Sequence, residues 1–138
     1  MPRGGVGTRR FWGHEPQLAC DYANVADFSH GREYPNGDRV LHECDDGFAT
    51  LAPVASRGPN AFGLFDMLGN AWEWTCSEYV HPFDASAWHC ASPGSPAPRV
   101  FRSGAWYLLP ASVRTAHRNA GAPTAQAESI GFRVFRMF

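Results

Sequence analysis

The chain has 138 residues, enough for one domain with a sizeable core but not for two. Its 44% hydrophobic and 14% aromatic content describes a packed globule, and a net charge of −1 gives no attraction for nucleic acid. All twelve cationic side chains are arginine, the residue that tolerates burial in forked pairs and aromatic stacks. No apolar run reaches the length of a membrane helix, and no charged start leads into an apolar stretch as a signal peptide would.

Residues 1–10 are rich in Gly and Arg without periodicity, which predicts a loosely held start before Phe11 and Trp12 open the first apolar patch. Residues 20–27 mix small and apolar side chains with Asp21, Asn24 and Asp27. From 30 to 43 the chain is polar and turns at Pro35 to Asp38, so no helix of usual length is expected there. Asp45, Asp46 and Gly47 form another turn, followed by a short apolar piece over 48–54 that reads as a strand or a packed loop.

Residues 60–75, N-A-F-G-L-F-D-M-L-G-N-A-W-E-W-T, are the stretch around which the chain is organised. Gly63, Gly69 and Asn70 tolerate unusual backbone angles, while Leu64, Phe65, Met67 and Leu68 anchor the loop. In 71–75 the side chains alternate, which predicts a strand with Trp72 and Trp74 on one buried face. Residues 76–98 hold four prolines, Pro82, Pro93, Pro96 and Pro98, and read as a long surface excursion partly anchored by Phe83 and Trp88. Three further strands are predicted over 99–107, 113–118 and 130–138, giving an antiparallel sheet with long irregular loops and little helix.

The cysteines lack the spacing of a zinc ribbon. Paired in chain order, Cys20 with Cys44 and Cys76 with Cys90, they would each close a turn-rich loop. In an oxidising space these are expected as disulfides, which would make the protein exported or periplasmic; in the cytosol they would be buried thiols.

The central run, together with D-Y-A-N-V-A-D, D-D-G-F-A-T-L-A-P-V and S-I-G-F-R-V-F-R, resembles the formylglycine-generating enzyme, or sulfatase-modifying factor, family. The resemblance covers nearly the whole chain and implies an α+β, mostly irregular, C-type lectin-like fold from which the family's N-terminal part is missing. It implies one calcium site at Asn24 and Asp46 with the carbonyls of Val25 and Phe48. A second would use Asp66 and Glu73 with the carbonyls of Gly69 and Ala71. Calcium takes about six to eight oxygen ligands, which Asp- and Asn-rich turns supply; the plain alternative is that these side chains cap turns.

Aerobic members of that family hold copper with a cysteine pair shortly after the strand that here reads R-V-F-R-S-G-A-W-Y. Here Leu108 to Val113 follow, and no cysteine comes after Cys90, so copper is not expected. The six histidines form no two-His, one-carboxylate cluster. Retroelement-diversified relatives display variable side chains where this chain has Trp106, Tyr107, Leu108, Leu109, Ser112, Thr115, His117 and Asn119. The expectation is a non-catalytic domain that binds a protein or small-molecule ligand through these C-terminal loops. The alternatives are a divergent or partial oxygenase-type enzyme, and a variable protein of a diversity-generating retroelement. Arg114, Arg118 and Arg133 are read as struts that hold loops to the sheet.

Overall fold

A computed structural model describes residues 7–35, 38–134 and 136. It begins with a 3-10 turn at Pro16–Leu18, then two short helices, α1 (Ala19–Tyr22) and α2 (Phe28–Glu33). Four strands follow: β1 (Trp72–Glu78), β2 (Arg99–Arg102), β3 (Asn119–Gly121) and β4 (Ile130–Phe132). A second 3-10 turn, Ala85–Trp88, lies in the excursion between β1 and β2. Among the described residues no helix is long and apolar enough to cross a membrane.

The sheet order is β3-β2-β1-β4. β1 pairs antiparallel with β2 and β2 with β3, but β4 lies parallel to β1, with Trp72 opposite Ile130. The sheet is therefore mixed, not purely antiparallel as expected. β2 is shorter than the predicted 99–107 because Ser103 and Gly104 take positive φ (74° and 84°) and turn the chain out of the ladder. Predicted strand 113–118 does not form. Its alternation is real, with Val113 and Thr115 buried and Arg114 and Ala116 exposed, but its amides bond to turns and to the Arg9 carbonyl, not to a neighbouring strand. Of the predicted 130–138, β4 occupies the first three residues, and Phe135, Met137 and Phe138 lie outside the described residues.

The core has two parts. Ala19, Ala23, Val25, Leu68 and Val113 form one, with Phe11, Trp12 and Cys44 packed against it. Trp72, Phe101 and Ala105 form the other, with Trp74 and Ile130 alongside. Leu108 packs against both and joins them. Trp72 and Trp74 both turn toward Phe101, as the alternation in β1 requires.

The loop before β1 crosslinks the two parts through its backbone. Gly69 N–H donates to the Ser103 carbonyl, Asn70 N–H to that of Asn24, and Trp106 N–H to that of Asn70. Gly69 has φ +78°, and a Cβ there would collide with the Asn24 carbonyl, so the close approach needs glycine. The start of the chain is less loose than expected from Gly7 onward. Arg10 is buried and donates to the carbonyls of His14 and Pro110, tying the N-terminal segment to the C-terminal loops; residues 1–6 lie outside the described residues.

His42 is fully buried, with Nδ1 3.2 Å from the Pro16 carbonyl and no partner for Nε2. The carbonyl can only accept, so Nδ1 carries the proton of a neutral ring. Burial lowers the His42 pKa, outweighing the pull of that carbonyl in the other direction. As pH falls through the unfolded value of about 6.5, the unfolded chain takes up a proton that the folded chain refuses. His42 thus contributes stability above that pH and loses it below. Urea midpoints measured at about pH 7.5 and about pH 5.5 are expected to fall less for His42→Gln than for the parent chain; equal falls would remove His42 as the cause.

Candidate functional site

Two carboxylate-bearing turns and the C-terminal loops are the regions singled out by the sequence. The first turn is brought to α1 and α2 by the Cys20–Cys44 disulfide, whose Cα atoms are 6.0 Å apart. Asp46 is buried, and its Oδ2 accepts from Val25 N–H (3.1 Å) and its Oδ1 from Phe48 N–H (2.8 Å). These are turn-capping bonds, and they occupy about two of a carboxylate's four lone-pair positions. Asn24 is oriented by its amide nitrogen, which donates to the Thr50 carbonyl (2.7 Å) and to Asn70 Oδ1 (3.0 Å). That leaves Asn24 Oδ1 buried with no donor.

Asp27 was not among the expected ligands, yet it stands beside Asp46. It caps α2 by accepting from His30 N–H, and its other oxygen accepts from Asp46 N–H. Its position immediately before the helical run was the available signal. Burial first, and then the Asp27 carboxylate, raises the Asp46 pKa to about 6. One oxygen of each and the Cys20 sulfur lie within 4.8 Å of one another. The sulfur belongs to a disulfide and has neither a proton to donate nor a thiolate to offer.

At the second turn, Asp66 has φ 55° and its Oδ2 accepts from Ala55 N–H (2.8 Å). Asp66, Ala71 and Glu73 line one surface cavity with Arg133, and Gly69 sits behind it, buried against Asn24. Arg133 places Nη2 2.6 Å from Glu73 Oε1 and also donates to the Phe65 carbonyl (3.0 Å). It is a strut, and it already supplies a cation to this turn. Arg118 is a strut as well, donating to the Val80 carbonyl, whereas the exposed Arg114 side chain makes no hydrogen bond or ion pair among the described residues.

The eight C-terminal positions do not form one outward patch. Trp106 is buried, with its ring against His30, Tyr34 and Tyr107. Leu108 is core, Leu109 and Ser112 are half-buried in a turn, and Thr115 is buried against the Arg9 carbonyl. His117 sits edge-on to Trp72 with Nδ1 2.7 Å from the Ser112 carbonyl. Only Tyr107 and Asn119 of the eight are exposed, and the Tyr107 hydroxyl accepts from Trp72 Nε1 (2.9 Å). The other six hold the loops in place.

The family model of the sulfatase-modifying factor enzyme 1-like domain matches residues 2–138. Formylglycine-generating enzyme of Bos taurus is 35% identical over 138 residues, which cover 95% of this chain and 34% of that protein. Inactive C-alpha-formylglycine-generating enzyme 2 of Mus musculus is 31% identical over 107 residues, covering 73% of this chain and 30% of that one. The chain thus spans about a third of the length of these curated relatives. Among solved structures, Treponema denticola variable protein 1 superposes with a TM-score of 0.65 at 21% identity, over 95% of this chain and 41% of its own. At that identity the likeness is one of fold, and the fold is C-type lectin-like.

Proposed function

Because the chain belongs to the family of sulfatase-modifying factor enzyme 1-like domains, we propose that it is a member without cysteine chemistry: a ligand- or protein-binding domain whose C-terminal loops stand on a calcium-pinned scaffold. The observation that carries this reading is the state of the cysteines. All four are used in two disulfides, Cys20–Cys44 and Cys76–Cys90, and the segment after β2 has none. Oxidation of a substrate cysteine on copper needs thiolates to hold the metal, and this chain has none to give. The mouse relative named as inactive gives the reading a precedent in the family. Two disulfides also favour an oxidising compartment as the place of work.

The calcium part of the reading is placed at the first turn. In its support, Asn24 Oδ1 is buried without a donor, and the next residue, Val25, gives its N–H to the buried Asp46 carboxylate, which keeps lone pairs free for a cation. Asn24 and Asp46, with the carbonyls of Val25 and Phe48, would hold the ion, and water would complete its shell. Bound there, calcium would neutralise the buried carboxylates and fix α1, α2 and the turn at Asp46 as one unit. The proposal is confined to this turn, because Arg133 already neutralises Glu73 at the other.

The test of the non-catalytic reading is direct. The purified chain, loaded with copper(I) and supplied with oxygen, is incubated with a cysteine-containing sulfatase peptide, and the peptide is read by mass spectrometry. The expected result is unchanged peptide. Conversion of the thiol to an aldehyde would overturn the reading.

A further inference from the structure

The excursion between β1 and β2 roofs a cleft that none of the expected site residues occupies. It is lined by Thr75 and Val100 of the sheet, by Phe83 and Trp88 of the excursion, and by Arg102 and Arg118, around about 190 Å³. The roof is fixed at its base. The Cys76–Cys90 disulfide spans it, Ala91 N–H donates to the Cys76 carbonyl (2.8 Å), and Tyr79 N–H to that of Pro98 (2.8 Å).

The two guanidiniums are the unusual part. Neither forms an ion pair among the described residues. Arg118 lies over the rings of Phe83 (4.7 Å) and Tyr79 (5.0 Å) and donates to the Val80 carbonyl, yet its Nη1 is buried without an acceptor. Arg102 has one long contact, 3.5 Å to the Thr115 carbonyl. Burial, and then repulsion from Arg118, lowers the Arg102 pKa, so the two charges oppose each other in a partly dry place. The carboxylates of the roof and its stem are engaged elsewhere. Glu78 accepts from Ser95 and faces Arg99, and Asp84 caps Ser86. Trp88 lines the same cleft, is 63% exposed, and its ring meets Phe83 edge to face at 5.8 Å. Two guanidinium forks without a carboxylate partner among the described residues, beside aromatic rings, are complementary to an oxyanion carried on a flat apolar body.

We propose that this cleft binds small organic acids, with the oxyanion on Arg102 and Arg118 and the apolar body against Trp88 and Phe83. This rests on the reading of the domain as a binding module and names its ligand class. In such a complex the ligand supplies a negative charge that no described carboxylate brings to the pair, and its apolar body shields the pair from water.

Titration of the chain with benzoate, phenyl phosphate, benzamide and inorganic sulfate, followed by the ¹H–¹⁵N signals of the Trp88 indole and the arginine side chains, tests it. Saturable shifts of both Trp88 and Arg102 with benzoate or phenyl phosphate are expected, with benzamide and sulfate at least about tenfold weaker. Response to benzoate alone assigns a carboxylate ligand, and to phenyl phosphate alone a phosphate. Arg102→Gln and Trp88→Ala are each expected to weaken binding about tenfold; Trp88 is exposed enough that its variant keeps the fold if Arg102→Gln does not. No saturable shift with either aromatic anion, or equal response to benzamide, would overturn the cleft's assignment. The two readings fail separately: a silent cleft leaves the unchanged cysteine peptide standing, and conversion of that peptide leaves the anion titration standing.

Discussion

Replacing Cys20 and Cys44 together by Ala is expected to cost about 3.5 kcal/mol, the largest single loss foreseen for this chain. The bridge closes a span of 24 residues, and freeing a loop of that length returns about this much conformational entropy to the unfolded chain. For a domain of this size that is a fall in melting midpoint of roughly 10–15 °C. The span contains Asn24 and Asp27, and Cys44 stands two residues before Asp46, so the same covalent link holds the turn's polar groups in register. The loss should therefore be coupled to calcium and not simply add to it. Removing Cys76 and Cys90, which close 14 residues far from that turn in the sequence, is expected to leave the response to calcium intact. An identical calcium response in both double variants would dissociate the first disulfide from the ion.

Withdrawal of calcium carries the second largest expected effect. At a concentration about 100 times its dissociation constant, an ion that binds only the folded chain stabilises it by about 2.7 kcal/mol. Excess chelator should then lower the melting midpoint by roughly 10 °C. Asp46→Asn is expected to abolish the response, because it keeps an oxygen for turn capping but removes the charge that draws the cation. Glu73→Gln, which breaks only the exposed pair with Arg133, should leave it unchanged. A chelator shift that persists in Asp46→Asn, or that vanishes in Glu73→Gln, would move the ion to the second turn. No shift in the parent chain would make Asn24 and Asp46 turn caps alone.

What the sequence made legible was local. The alternation around Trp72 and Trp74 marked β1 because the strand period that puts both indoles on one face is set within five residues, although only Trp72 is fully buried and Trp74 is half-buried. The glycine and asparagine of the central loop were legible for a similar reason, since Gly69 and Asn70 do adopt positive φ. The same logic misread 113–118. Alternation there reports which side chains are buried, and burial at Val113 and Thr115 is achieved by turns that lean on Arg9 and the core. The partner of β4 was not legible at all, because pairing Ile130 with Trp72 is decided by contacts far apart in the chain.

The candidate sites divide in the same way. Asp46 and Asn24 could be named from their motif, but that Asn24 keeps a buried oxygen without a donor depends on Thr50 and Asn70 taking its amide protons. Among the C-terminal residues, the sequence could not say which of the aromatic and polar side chains face inward. Arg102 and Arg118 were readable only as cations, since the cleft they flank exists only once the excursion is folded over the sheet.

The parallel seating of β4 beside β1 also sets a schedule for synthesis. On the ribosome, the local bonds of the first part of the chain, such as the Asp27 cap on α2, can form early, but its core partners Leu68 and Val113 emerge later. β1 cannot be completed then. Its edge waits, with Trp72 N–H lacking the Ser129 carbonyl it will bond, until residues 129–132 arrive. During that interval the nascent chain presents an open strand bearing two indoles, the kind of surface that chaperones recognise and that aggregation exploits.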